Sequence, residues 1–144
     1  MKQVREILDA KGSDVATISR ERRVGDALHL LRERGIGAII VTGAQAPLVG
    51  IFSERDAVRA LAIHGAAALD MVVSDLMSEQ VATCGEATSV DSLMAMMTER
   101  RIRHVPVVED GVLKGVVSIG DVVKYRVDEL EREKRDLIEY VSAR

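Results

Sequence analysis

The chain has no tryptophan, one phenylalanine and two tyrosines, so aromatic residues make up 2% of its 144 residues. Proteins that hold single-stranded nucleic acid stack bases on exposed aromatic faces, and this sequence has almost none to offer. It also lacks a positive surplus: 20 lysines and arginines stand against 23 aspartates and glutamates, a formal net charge of −3. A nucleic-acid backbone is bound through such a surplus, so nucleic acid is not expected as a partner. The cluster Arg20, Arg22 and Arg23 is short, is interrupted by Glu21 and reads as solvated surface. Cys84 is the single cysteine; it has no internal disulfide partner, which suits a reducing compartment, and it reads as a small core residue. No apolar run reaches membrane-spanning length. The N-terminal stretch Met1-Lys2-Gln3-Val4-Arg5-Glu6 already carries an acid and does not resemble a signal peptide. The expectation is a cytoplasmic protein with no membrane partner. His29 and His64 have no second ligand at metal spacing, so no metal is expected. Walker loop, nucleophile elbow and paired-acid patterns are all missing, which argues against an enzyme.

Apolar residues make up 47% of the chain, enough for a core in one domain or two small intimate halves. The strongest feature is an internal repeat. Val4-Arg5-Glu6-Ile7-Leu8 resembles Val73-Ser74-Asp75-Leu76-Met77, and Val15-Ala16-Thr17 matches Val81-Ala82-Thr83. Val24, Ala27, Leu28 and Leu31 match Val90, Leu93, Met94 and Met97, and Glu33-Arg34-Gly35-Ile36 matches Glu99-Arg100-Arg101-Ile102. Gly50-Ile51-Phe52-Ser53-Glu54-Arg55-Asp56 matches Gly115-Val116-Val117-Ser118-Ile119-Gly120-Asp121. The spacing is 66 residues from Val15 to Val81 and 65 from Asp56 to Asp121, so one residue is lost between the second and third strands.

Each unit reads strand, helix, strand, strand, helix. Residues 15–18 and 81–84 are weak strands. Val24, Ala27, Leu28 and Leu31, like Val90, Leu93, Met94 and Met97, lie on one helical face, and Gly35 stops the first of these helices. Residues 36–42 and 102–108 follow as β-branched strands. Pro106 cannot donate to a ladder, so its strand lies at an edge or carries a bulge, and Glu109-Asp110-Gly111 is a tight turn. Third strands run over 48–53 and 113–118, and second helices begin near Ser53 and Ser118. The repeats are bounded at 4–66 and 73–128, with a helical extension over 129–144. A unit of this size is marginal alone, so the fold class is α/β (α+β): two βαββα repeats packed through their sheets with pseudo-two-fold symmetry, plus a C-terminal helix. Along that helix Val123, Val127, Leu130, Leu137 and Val141 form an apolar stripe, which either packs on its own domain or makes a dimer contact.

A tandem of such units, with Arg103-His104-Val105-Pro106-Val107-Val108 in one second strand and Gly-apolar-apolar-Ser-x-x-Asp at both third strands, resembles a pair of cystathionine β-synthase (CBS) domains over residues 4 to 128. The resemblance implies a free-standing regulatory module that binds an adenosyl ligand (AMP, ADP, ATP, S-adenosylmethionine or NAD(H)), pairs into a homodimer and signals to a regulated protein. It also implies two clefts, with base and ribose held by opposite repeats. In one, Ser118 and Asp121 hold ribose and phosphate, Arg103 and His104 reach the phosphate, and the adenine lies against Ala16, Ile36 and Ala38. In the other, Ser53 and Asp56 face Ala82, Ile102 and His104, with Arg55 as the nearest cation. AMP is expected at the Asp121 cleft, and a weaker, roomier site at Asp56, open to NAD(H). Two alternatives stand beside this reading. Ser-x-x-Asp is also an ordinary capping box, and the chain could be an interaction module with vestigial clefts or, further off, a nucleotide-processing enzyme.

Overall fold

The computed structural model describes residues 2–143. Its elements follow the repeat. Helix α1 (Val4–Lys11) leads into strand β1 (Thr17–Ser19), helix α2 (Val24–Arg34), strands β2 (Ala38–Thr42) and β3 (Gly50–Ser53) and helix α3 (Glu54–His64). A 3-10 segment (Gly65–Asp70) then joins to the second copy: α4 (Val73–Leu76), α5 (Val90–Arg100), β4 (His104–Glu109), β5 (Val112–Ser118) and α6 (Ile119–Ser142). Gly35 caps α2 in the left-handed conformation, φ 61°, ψ 39°, as its position in the pattern suggested. The turn between β4 and β5 places Asp110 and Gly111 both at positive φ, the type I′ geometry whose twist matches the flanking strands.

The first sheet runs β1-β2-β3, with β1 parallel to β2 and β3 antiparallel. The second is the antiparallel pair β4-β5. Its register slips between Val107 and Val108, near Pro106, in keeping with the edge or bulge expected of its strand. The strand expected over 81–84 shrinks to a single parallel bridge, Cys84 to Val107. Cys84 exchanges bonds with Pro106 and Val108, and the backbone then turns at once, with Thr88 donating to the Gly85 carbonyl.

Two helices pack on the other repeat. Val4, Ile7 and Leu8 of α1 lie in one core with Cys84, Leu93, Val105, Val117 and Val122 of the second repeat. Val73 of α4 lies in the other core with Ile18, Leu31, Ile39 and Phe52 of the first. Matching hydrogen bonds fix each exchange. Val4 and Arg5 donate to the carbonyls of Thr88 and Glu86, and Val73 and Ser74 donate to those of Arg22 and Arg20. The acceptors keep the repeat spacing, Arg22 with Thr88 and Arg20 with Glu86, and the donors open the matching helices α1 and α4, so the two exchanges correspond bond for bond.

The expected extension after residue 128 is a continuation of the second repeat's last helix; residue 144 lies outside the described residues. Val123, Val127, Leu130, Leu137 and Val141 are 46% to 63% exposed. The stripe therefore does not pack on its own domain: beyond its first two turns α6 runs past the two cores, and only Val122 and Tyr125 are buried.

Candidate functional site

The two junctions open onto two clefts, each with walls from both repeats. Ser53 and Ser118 end their strands with extended backbone and become N-caps. Each forms a full capping box: Asp56 and Asp121 donate their backbone N–H to the serine Oγ and accept the serine backbone N–H on Oδ2, at 2.9 and 2.8 Å respectively. The first N–H of each helix is also used, Glu54 donating to the Gly37 carbonyl and Ile119 to that of Arg103. Much of the donor set expected for a phosphate at these helix starts is therefore spent on the fold.

The first cleft, about 310 Å³, is lined by Ser118, Asp121, His104, Ala16, Ile36 and Ala38. The residues expected at the Asp121 cleft thus come together, with one exception: Arg103 does not line it. Two charged residues missed by the sequence reading do, Lys11 and Asp14. Lys11 Nζ sits 2.6 Å from Asp121 Oδ2 and donates to the Val116 carbonyl at 2.6 Å. Lys11 ends α1, and only the packing of α1 on the second repeat brings it to Asp121; no sequence signal spans those 110 residues. Burial works to raise the Asp121 carboxyl, but the hydrogen bonds from Lys11 and Ser118 outweigh it and hold the group below its ordinary value.

The second cleft, about 500 Å³, is lined by Ser53, Asp56, Arg55, Ala82, Ile102 and His104 as expected, and also by Arg59, Ser78, Arg101 and Arg103. This corrects the sequence expectation in placement and in character. Arg103 belongs to the Asp56 cleft, and that cleft is the arginine-rich one. Asp56 is 4% exposed. Its Oδ2 accepts from Ser53 Oγ at 3.1 Å, and its Oδ1 accepts from Ser78 Oγ at 3.0 Å and from Arg59 at 3.4 Å. Asp121 keeps 24% of its side chain exposed, so of the two carboxylates it is the more accessible.

His104 lines both clefts. A Cβ on Gly37 would come within 3.2 Å of its ring, so glycine there leaves the imidazole its close approach. Burial pushes His104 below its ordinary value, with Asp121 and Glu54 opposing. Cys84 is buried, and burial with Glu109 pushes its thiol up to about 11, which matches a packing role.

The CBS domain family description matches residues 4–63 and 73–128. The chain is 38% identical over 123 residues to the CBS domain-containing protein CBSX3, mitochondrial, of Arabidopsis thaliana, a match that covers 83% of this chain and 60% of that protein. The chain thus spans about 60% of the length of that curated relative. The crystal structure of the CBS-domain containing protein ATU1752 from Agrobacterium tumefaciens aligns with a TM-score of 0.84 at 47% identity, covering 86% of this chain and 92% of the other. The CBS domain protein PAE2072 from Pyrobaculum aerophilum, solved in complex with AMP, aligns with a TM-score of 0.74 at 26% identity, covering 83% and 88%.

Proposed function

The chain belongs to the CBS-domain family, and from that premise we propose that it is a regulatory, non-catalytic module that binds adenine nucleotide between its repeats and passes occupancy to a partner protein. The observation that carries the proposal is the build of each cleft: a Ser-x-x-Asp junction from one repeat faces small apolar residues of the other. A flat purine fits Ala16, Ile36 and Ala38, and a carboxylate can accept both hydroxyls of a ribose. AMP bound to PAE2072 supports the ligand class. In this reading Asp121 is the ribose acceptor of the smaller cleft, Ser118 holds it in place, and Lys11 takes the phosphate role expected of Arg103. Ser53 and Asp56 serve the larger cleft with Ala82, Ile102, Arg55 and His104, and the greater volume of that cleft has room for NAD(H). The proposal extends to a homodimer formed through the exposed stripe of α6 and to a cytoplasmic setting. Among the described residues no helix is long and apolar enough to cross a membrane.

A ligand can shift the module only by binding one conformation better than another. At Asp121 a ribose diol would share the carboxylate whose Oδ2 already holds Lys11, so occupancy acts on the tie between α1 and the β5–α6 junction. One observation favours a second reading, an interaction module with vestigial clefts: both oxygens of Asp56 already have partners within the fold. Melting temperature separates the two. A ligand that binds only the folded state raises the midpoint, by about 2.7 kcal/mol of stability at a hundred times its dissociation constant. AMP, ADP, ATP, S-adenosylmethionine, NAD⁺ and NADH are tested on the wild type and on Asp121→Asn and Asp56→Asn, which keep a cap acceptor but weaken diol binding. The expected result is a shift with at least AMP, reduced in Asp121→Asn. No shift with any adenosyl ligand would favour the interaction module.

A further inference from the structure

The two clefts differ more in charge than in shape. The larger one brings together four guanidinium groups, Arg55 and Arg59 from the first turns of α3 and Arg101 and Arg103 from the segment between α5 and β4, against two carboxylates, Glu54 and Asp56. Arg59 is committed to Asp56, and Arg55 donates to the Arg101 carbonyl at 3.3 Å. Arg101 and Arg103 make no ion pair among the described residues. All four side chains are exposed, so packing does not explain their convergence. The smaller cleft has one lysine, Lys11, against Asp14 and Asp121, and that lysine is engaged with Asp121.

Arginine forks bind phosphate oxygens two at a time, and their charge is not lost at any working pH. Four guanidinium groups gathered in one cleft, three of them without an ion pair among the described residues, match a chain of linked phosphates better than a single phosphate. We infer that the Asp56 cleft is the site for a nucleotide carrying two or more linked phosphates, a nucleoside di- or triphosphate or a dinucleotide pyrophosphate, and that Arg101 and Arg103 set this preference. The inference rests on the adenine-nucleotide reading of the clefts. It assigns ligands of low charge, such as AMP, to the Asp121 cleft, and it reverses the ranking that places the weaker phosphate site at Asp56.

The test is calorimetric titration of the full chain with adenosine, AMP, ADP, ATP, NAD⁺ and inorganic tripolyphosphate. ADP or ATP is expected to bind one site at least about tenfold tighter than AMP binds there, with an affinity that falls steeply as salt rises. The double variant Arg101→Gln, Arg103→Gln is expected to lose about tenfold or more for ADP and ATP, while AMP binding at the Asp121 cleft stays within about twofold. Arg55→Gln, in a separate helix, is expected to weaken the same ligands, and unliganded melting points report on folding in each variant. The ADP, ATP and NAD⁺ arms distinguish a terminal polyphosphate from an internal pyrophosphate. Equal affinity for AMP and ADP at both sites, or ADP binding that survives the double variant, overturns the inference and leaves the nucleotide module standing. Tripolyphosphate binding as tightly as ATP overturns the nucleotide part of it. Failure of every adenosyl compound to bind overturns the underlying function instead.

Discussion

At the scale of single residues, Asp121 and Asp56 occupy equivalent positions and have diverged in surroundings. Asp121 is held below its ordinary value by Lys11 and Ser118 against the pull of burial. A carboxyl depressed in the folded state stabilises the fold fully above its unfolded value and loses that contribution as pH falls through the lower folded value. Asp121 should therefore contribute to acid unfolding below about pH 4. Urea unfolding across that range should show a flatter loss of stability in Asp121→Asn than in wild type. Parallel profiles would mean that Lys11 contributes nothing there. The sequence pointed to both aspartates and both serines because local spacing encodes a cap. It could not show Lys11, which arrives from the far end of the chain, nor that Arg103 lines the other cleft from Asp121.

At the scale of elements, the glycine that opens each repeated motif has a cause in the exchanged segments. A Cβ on Gly50 would lie 2.5 Å from Met77 Sδ and 2.9 Å from the Ser78 carbonyl. That carbonyl cannot retreat, because Ser78 and Ile51 exchange both backbone hydrogen bonds. A Cβ on Gly115 would meet Leu8 Cδ2 at 2.7 Å, the tip of a side chain that can turn. Met77 and Leu8 are themselves equivalent in the repeat. Gly50→Ala should thus cost about 1–3 kcal/mol, the usual range for overpacking, and Gly115→Ala distinctly less. Chemical denaturation of the two variants checks this, and equal costs would contradict it. Periodicity showed the faces of α1 and α4 but not which repeat they cover, since two near-identical cores accept the same apolar triplet. The strand expected at 81–84 failed for a related reason: β-branched residues supply propensity, but the turn at Gly85 leaves room for a single bridge.

At the scale of the whole molecule, a pseudo-two-fold places two clefts from one repeated unit in one chain, with His104 on the border of both. The repeat made that layout legible, and it also hid the asymmetry, because it assigned Arg103 to the Asp121 cleft and gave no sign that Arg59 and Arg101 join Arg55 and Arg103 in the larger one. The long last helix carries the remaining large-scale feature. Its apolar stripe stays exposed along most of its length, with Leu130 62% and Leu137 63% accessible. If that stripe is the homodimer contact, sedimentation equilibrium should find a dimer in wild type and a monomer of unchanged helicity in Leu130→Asp, Leu137→Asp. A wild-type monomer, or a dimer that tolerates both charges, would move the contact elsewhere.

The claim on which the rest depends is that adenine nucleotide enters these clefts. Its most direct measure is calorimetric titration of AMP into the wild type and into the double variant Asp56→Asn, Asp121→Asn, with folding verified by melting point. Saturable binding in the wild type that is lost or weakened by about tenfold or more in the double variant is the result expected. AMP binding that is unchanged when both carboxylates are gone, or no binding to the wild type at all, would contradict it.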